Sequence, residues 1–111
     1  GLCTNKPIRP THTVLAHFGW SKVFEVVIGG DSLPVHKPDP APLHAVIDAM
    51  GAGPVVYVGD SEVDAATAKA ARVPFALFTE GYRKTPLETI PHDRAFNAWA
   101  DLPGIASALI G

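Results

Sequence analysis

Cysteine and methionine are almost absent from this chain. The single cysteine, Cys3, excludes an internal disulfide and fits a reducing compartment, so a cytoplasmic protein is expected. The single methionine, Met50, is internal. The chain opens Gly1-Leu2-Cys3-Thr4, already apolar, which reads as the tail of a strand begun elsewhere, and a piece of a longer protein is expected. No apolar run approaches the roughly 18 residues of a membrane-spanning helix, and no signal peptide is visible. Positive charge is not in excess. Nine Lys and Arg against eleven Asp and Glu give a formal net charge of −2. That balance argues against nonspecific nucleic-acid binding and against a polybasic membrane patch.

Several motifs are lacking as well. His12, His17, His36, His44 and His92 show neither HExxH spacing nor cysteine partners, so a zinc site is not expected. There is no GxSxG and no GxxxxGK[ST], and Gly29-Gly30 is too short for a dinucleotide fingerprint. Cys3 has no histidine with an evident role as its base and reads as an apolar strand residue. Trp20 and Trp99 read as packing residues.

What is present suits one globular domain. The 111 residues are 47% apolar and 18% charged, enough for a real core. Pro and Gly total 21 residues, below the roughly 25–30% that marks low complexity. Neither a repeat nor an internal linker is visible.

Strand and helix patterns alternate. Thr11 is expected to cap a short helix with Val14, Leu15 and Phe18 on one face and Gly19 closing it. Residues 24–28, FEVVI, read as a strand stopping at Gly29-Gly30. A proline-studded loop follows from Ser32 to Pro40. Leu43, Val46, Ile47 and Met50 then fall at i, i+3, i+4 and i+7, with Pro42 near the start and Gly51 just past the end, predicting a helix.

Residues 55–58, VVYV, are apolar on both faces and read as a buried parallel strand ending at Gly59-Asp60. Ser61 and Asp64 fit a capping box, and an alanine-rich helix is expected to run to about Arg72. Residues 74–78, PFALF, read as another buried strand, and the loop from Glu80-Gly81-Tyr82-Arg83 carries no periodicity. Ala95-Phe96-Asn97 suggest a short last strand. Asp101 and Pro103 open a helix containing Ile105, Leu109 and Ile110. This alternation predicts an α/β fold with a mostly parallel sheet.

Ligands of such sheets bind beyond the carboxyl ends of the strands. Three strand ends carry polar residues, expected to converge on one rim: Thr4-Asn5, Asp31 with Lys37 beyond it, and Asp60 with Asp64 beyond it. Paired carboxylates at Asp60 and Asp64 suit a hard cation such as Mg²⁺. The plainer alternative is that Asp60 and Ser61 cap a helix while Asp64 complements its dipole; the two roles are compatible. Lys37, between His36 and Pro38-Asp39-Pro40, is a point charge suited to a phosphate or a carboxylate nucleophile, or else a solvated loop lysine. Thr4-Asn5 offers a hydroxyl, an amide and a backbone N–H to phosphate oxygens, or else marks a turn.

Taken in order, T-N, K-P-D-P and G-D-S-x-x-D at successive strand ends resemble the haloacid dehalogenase superfamily of phosphatases. The wording is most similar to the phosphoglycolate phosphatase group: Cys3-Thr4-Asn5-Lys6-Pro7, Gly29-Gly30-Asp31-Ser32, Lys37-Pro38-Asp39-Pro40, Val58-Gly59-Asp60-Ser61-Glu62-Val63-Asp64 and Thr79-Glu80-Gly81-Tyr82. The resemblance covers essentially the whole chain. It implies a Rossmann-like, three-layer α/β/α core and a Mg²⁺-dependent phosphate monoester hydrolase acting through an aspartyl-phosphate. It implies that Thr4 holds a phosphate oxygen, helped by the backbone at Asn5, and that Lys37 offsets charge on the nucleophile and phosphoryl group. Asp60 would be the Mg²⁺ ligand. Asp64 would support the metal's water shell or orient Lys37. The implied substrate is a small phosphorylated molecule, 2-phosphoglycolate above others. Other phosphatases of the superfamily and phosphomutases share most of these words, and a non-catalytic α/β binding module is a further alternative.

One departure matters. The nucleophile and general acid/base of the family come from a DxD motif on an earlier strand, and no DxD occurs in residues 1–111. A cap domain is likewise not recognisable. The chain therefore reads as the C-terminal portion of a core, inactive alone and with an incomplete Mg²⁺ site. The resemblance puts the DxD strand between the strand ending at Thr4 and the strand ending at Asp60. Without it, either the remaining strands close up, or a second chain or a complementing N-terminal half fills the slot.

Overall fold

The computed structural model describes residues 1–51, 53–81 and 85–110. The chain divides into two compact units, Gly1–Ala52 and Gly53–Gly111.

In the first unit, β1 (Leu2–Cys3) and β2 (Val27–Ile28) pair in parallel, Leu2 opposite Val27 and Cys3 opposite Ile28. A parallel pair needs a crossover, and α1 (Ile8–His17) supplies it. The helix begins earlier than expected. Pro7 occupies the N-cap and Pro10 lies in the first turn, where a missing N–H costs nothing. Thr11 is not the cap. It sits inside the helix, buried, and its hydroxyl donates back to the Pro7 carbonyl at 2.8 Å. The cap comes from a distant residue: the Ile8 N–H donates to the Asp31 carboxylate at 2.8 Å.

The inward face of α1 is therefore Thr11 and Leu15. Val14 and Phe18, expected inside, are exposed, and Phe18 instead forms an outer ring cluster with His17 and Trp20. Of the expected strand over 24–28, only its last two residues are paired. The second helix, α2 (Ala41–Met50), matches its periodicity, burying Leu43 and Val46 against β1 and β2. The Asp39 carboxylate accepts the Ala41 N–H, and Gly51 closes the helix. Met50 is exposed, so the apolar stripe ends a turn early.

The second unit holds three parallel strands in the order β3 (Tyr57–Gly59), β4 (Phe75–Phe78), β5 (Arg94–Phe96). α3 (Glu62–Ala71) joins β3 to β4, and α4 (Leu102–Ile110) follows β5. Alternate residues of β4 serve opposite faces. Phase 75 and 77 of that alternation, Phe75 and Leu77, pack with Ala65 and Ala68 of α3 and with Ile90. Ala76 packs with Phe96 and with Ile105 of α4. The unit is thus helix, sheet and helix in layers, as the fold class requires. The alanines at 65 and 68 remove side-chain bulk where α3 meets the sheet.

β4 is central, and Ala76 and Leu77 are fully buried. β3 is an edge strand, which corrects the fully buried strand expected over 55–58. It starts at Tyr57 and is half-buried throughout. Short 3-10 turns at Leu87–Thr89 and Trp99–Asp101 carry no repeat long enough to be legible beforehand. Trp99 stacks on Phe78, with centroids 4.4 Å apart, yet remains exposed.

The single sheet expected is therefore two sheets among the described residues. β1 pairs only with β2 and β3 only with β4, so no described strand joins the two sheets. No helix among the described residues is long and apolar enough to cross a membrane.

Candidate functional site

Thr4 follows β1 and extends its ladder, its N–H donating to the Ile28 carbonyl at 3.0 Å. Its hydroxyl accepts the Lys6 N–H at 3.1 Å, an ST-type turn that leaves the hydroxyl proton able to donate. Asn5 does something the sequence did not indicate. Its side-chain Nδ2 donates to the Lys37 carbonyl at 3.1 Å, and its Oδ1 accepts the Lys37 N–H at 3.0 Å. The carboxamide thus clasps the backbone of Lys37 across 32 residues. Asn5 orients the lysine peptide.

The loop bearing Lys37 is fixed at several points. The Lys37–Pro38 peptide is cis, and the Asp39 N–H donates to the His36 carbonyl. Asp31, whose carboxylate caps α1, ties the loop after β2 to the start of that helix, and the Ser32 hydroxyl accepts the Gly29 N–H at 2.9 Å within the loop. Gly30 allows that approach: a Cβ there would overlap the Asn5 carbonyl. Its N–H donates to the Lys6 carbonyl at 2.8 Å. Gly29-Gly30-Asp31-Ser32 is therefore scaffolding for the Thr4–Asn5 turn.

In the second unit, Asp60 stands at the tip of β3, half-buried. Ser61 caps α3, its hydroxyl accepting the Asp64 N–H at 3.4 Å. Asp64 is buried, and both of its oxygens are engaged. Oδ2 accepts the Asp60 N–H at 3.0 Å and the Ser61 hydroxyl at 3.2 Å. Oδ1 accepts the Tyr57 hydroxyl at 3.3 Å. The capping box therefore reaches back one residue further than its usual form, to the N–H of Asp60. Tyr57 was not singled out from the sequence, since a tyrosine in an apolar strand gives no signal beyond its amphipathic tip.

The structure thus brings Asn5 to Lys37 in the first unit and Asp60 to Asp64 in the second. Tyr82 and Arg83 lie outside the described residues. Cys3 is buried in β1, as an apolar strand residue.

The donor set fits Mg²⁺ as far as it goes. That ion takes oxygen ligands, and one or two carboxylates suffice when waters and substrate phosphate complete the octahedron. Asp60 can be such a carboxylate, whereas Asp64 is already committed to N–H and O–H donors. Among the described residues no three His, Cys, Asp or Glu side chains group to hold a metal by themselves.

An open cleft of about 610 Å³ lies elsewhere, lined by Thr79, Arg94, Asn97 and Asp101 among others. None of the residues predicted for the site lines it.

Comparison with known proteins points one way. The family model described as haloacid dehalogenase-like hydrolase matches residues 1–72. A phosphoglycolate phosphatase from Cereibacter sphaeroides is 53% identical over 110 residues, 99% of this chain and 50% of that protein. A phosphoglycolate phosphatase from Rhodobacter capsulatus is 46% identical, over 94% of this chain and 48% of that protein. A crystal structure described as a predicted phosphoglycolate phosphatase from Haemophilus somnus superposes with a TM-score of 0.85 at 34% identity. It covers 93% of this chain and 47% of that one. The chain spans about half the length of the curated relatives it matches.

Proposed function

The chain belongs to the haloacid dehalogenase-like hydrolase family, and from that premise we propose that it forms the C-terminal part of a phosphate monoester hydrolase core whose preferred substrate is 2-phosphoglycolate. The names of its relatives support the substrate. The observation that carries the reading is the turn at the tip of β3, where the buried Asp64 accepts the Asp60 N–H and so fixes the peptide that bears the Asp60 carboxylate.

In this reading Thr4, Lys37 and Asp60 each serve phosphoryl transfer. The Thr4 hydroxyl donates to a phosphate oxygen. Lys37, its backbone clasped by Asn5, presents fixed positive charge. Phosphoryl transfer spreads negative charge over the equatorial oxygens, so preset donors and cations are the main catalytic device. Asp60 would hold Mg²⁺, which when bound neutralises phosphate charge. The attacking carboxylate is supplied from outside residues 1–111, which contain no DxD. Glycolate and inorganic phosphate are the products. A strand carrying that carboxylate, on the same polypeptide or a complementing piece, would also satisfy an open strand edge. A single buried thiol supports a cytoplasmic setting.

The test is phosphate release by the full-length protein carrying this chain, with Mg²⁺, across 2-phosphoglycolate and a panel of sugar phosphates. Preferential release from 2-phosphoglycolate is expected. Transfer of the phosphoryl group to a second position on a sugar, or no release from any monoester, would contradict the proposal. Residues 1–111 alone are expected to give no turnover.

A further inference from the structure

Two residues beside the Asp60–Asp64 turn, Tyr57 and Gly81, have no part in the proposed reaction. On one side is Tyr57, two residues before Gly59 on β3. Its ring lies 6.1 Å from that of Phe75, and its hydroxyl donates to Asp64 Oδ1 at 3.3 Å. Asp64 passes that restraint on, because its other oxygen accepts the Asp60 N–H. On the other side is Gly81, in the loop after β4. A Cβ built there would overlap Cβ and Oδ2 of Asp60 and lie 2.7 Å from its Cγ. The loop can lie against the Asp60 side chain only because position 81 carries none.

We propose that Tyr57 and Gly81 are positioning residues for the metal-binding carboxylate, Tyr57 by holding Asp64 and through it the Asp60 peptide, Gly81 by bounding the carboxylate itself. The proposal rests on the reading that Asp60 holds Mg²⁺. Phenylalanine at 57 would keep the ring packing and remove one donor from Asp64. The Asp64 carboxylate could then turn and share its oxygens differently, loosening the Asp60 N–H. Mg²⁺ punishes such loosening because it demands near-ideal octahedral geometry. Outer partners of metal ligands commonly change affinity by about 10–100-fold when removed.

The experiment titrates Mg²⁺ calorimetrically into the full-length protein as wild type, Tyr57→Phe, Gly81→Ala and Asp60→Asn, with turnover measured against Mg²⁺ in parallel. Tyr57→Phe is expected to weaken Mg²⁺ binding about tenfold. Gly81→Ala should weaken it further, since Asp60 must move. The Mg²⁺ concentration for half-maximal turnover should rise in step, with the rate recovered at saturating Mg²⁺ and the substrate KM unmoved. A purely structural role would instead lower the unfolding temperature and leave Mg²⁺ affinity intact. Wild-type affinity in both Tyr57→Phe and Gly81→Ala, with binding lost in Asp60→Asn, would overturn the positioning role and leave the metal reading standing. Wild-type affinity in Asp60→Asn would overturn the metal reading itself. Gly81→Ala, in a loop, keeps the question answerable if Tyr57→Phe fails to fold.

Discussion

Asn5 makes a contact that its position in the sequence does not announce. Threonine and asparagine after an apolar strand mark a strand end with donors, and that much was legible. The clasp on Lys37 was not, because a contact between positions 5 and 37 leaves no periodic trace. Asn5→Ala removes two backbone partners at once. It should cost about 1–2 kcal/mol by denaturant midpoint, since hydrogen bonds contribute roughly 0.5–1.5 kcal/mol each. In the proposed enzyme it should also lower kcat, through Lys37, more than it raises KM. Loss of stability with an unchanged kcat would separate the clasp from catalysis.

Helices whose ends are set locally were read well, and those capped from a distance were not. The Ala41–Met50 helix carries its own stripe and its own Asp39 and Gly51 at the ends. The Glu62–Ala71 helix carries Ser61. Ser61→Ala should therefore cost about 1 kcal/mol in urea unfolding, the usual loss of an N-cap. The Ile8–His17 helix has no cap of its own, so Thr11 looked like one, and the true acceptor is Asp31, 23 residues away. Asp31→Ala should destabilise by a similar amount of about 1 kcal/mol, whereas a cap at Thr11 would make Asp31→Ala nearly silent. Strand lengths were the weaker reading. The apolar runs at 24–28 and 55–58 exceed their paired portions, because pairing depends on a neighbour that a run of valines does not specify.

At the scale of the whole molecule, the parallel α/β class was visible in the alternation of elements, and the break in pairing between β1 and β3 separates the two strands between which the resemblance puts a further one. Hydrophobicity marks which strands are buried, but only pairing decides where a sheet is interrupted. β4 shows the contrast: the apolar run predicted a buried strand, and Leu77 is fully buried between neighbours. Leu77→Ala should cost about 2–5 kcal/mol, the range for deleting a buried leucine side chain. A value under about 1 kcal/mol would mean that the site collapses around the change or that the layer packing is looser than described.

The proposed phosphate monoester hydrolysis requires the Lys37 charge and the Asp60 carboxylate alike. Its most direct test is kcat/KM of the full-length protein on 2-phosphoglycolate for Lys37→Ala, Asp60→Asn and the double variant. Each single change should lower it by about 10²–10³-fold, the usual loss when a preset charge partner is removed. The double variant should fall little further, because groups acting as a unit are far from additive. Either single variant retaining wild-type kcat/KM would contradict the claim.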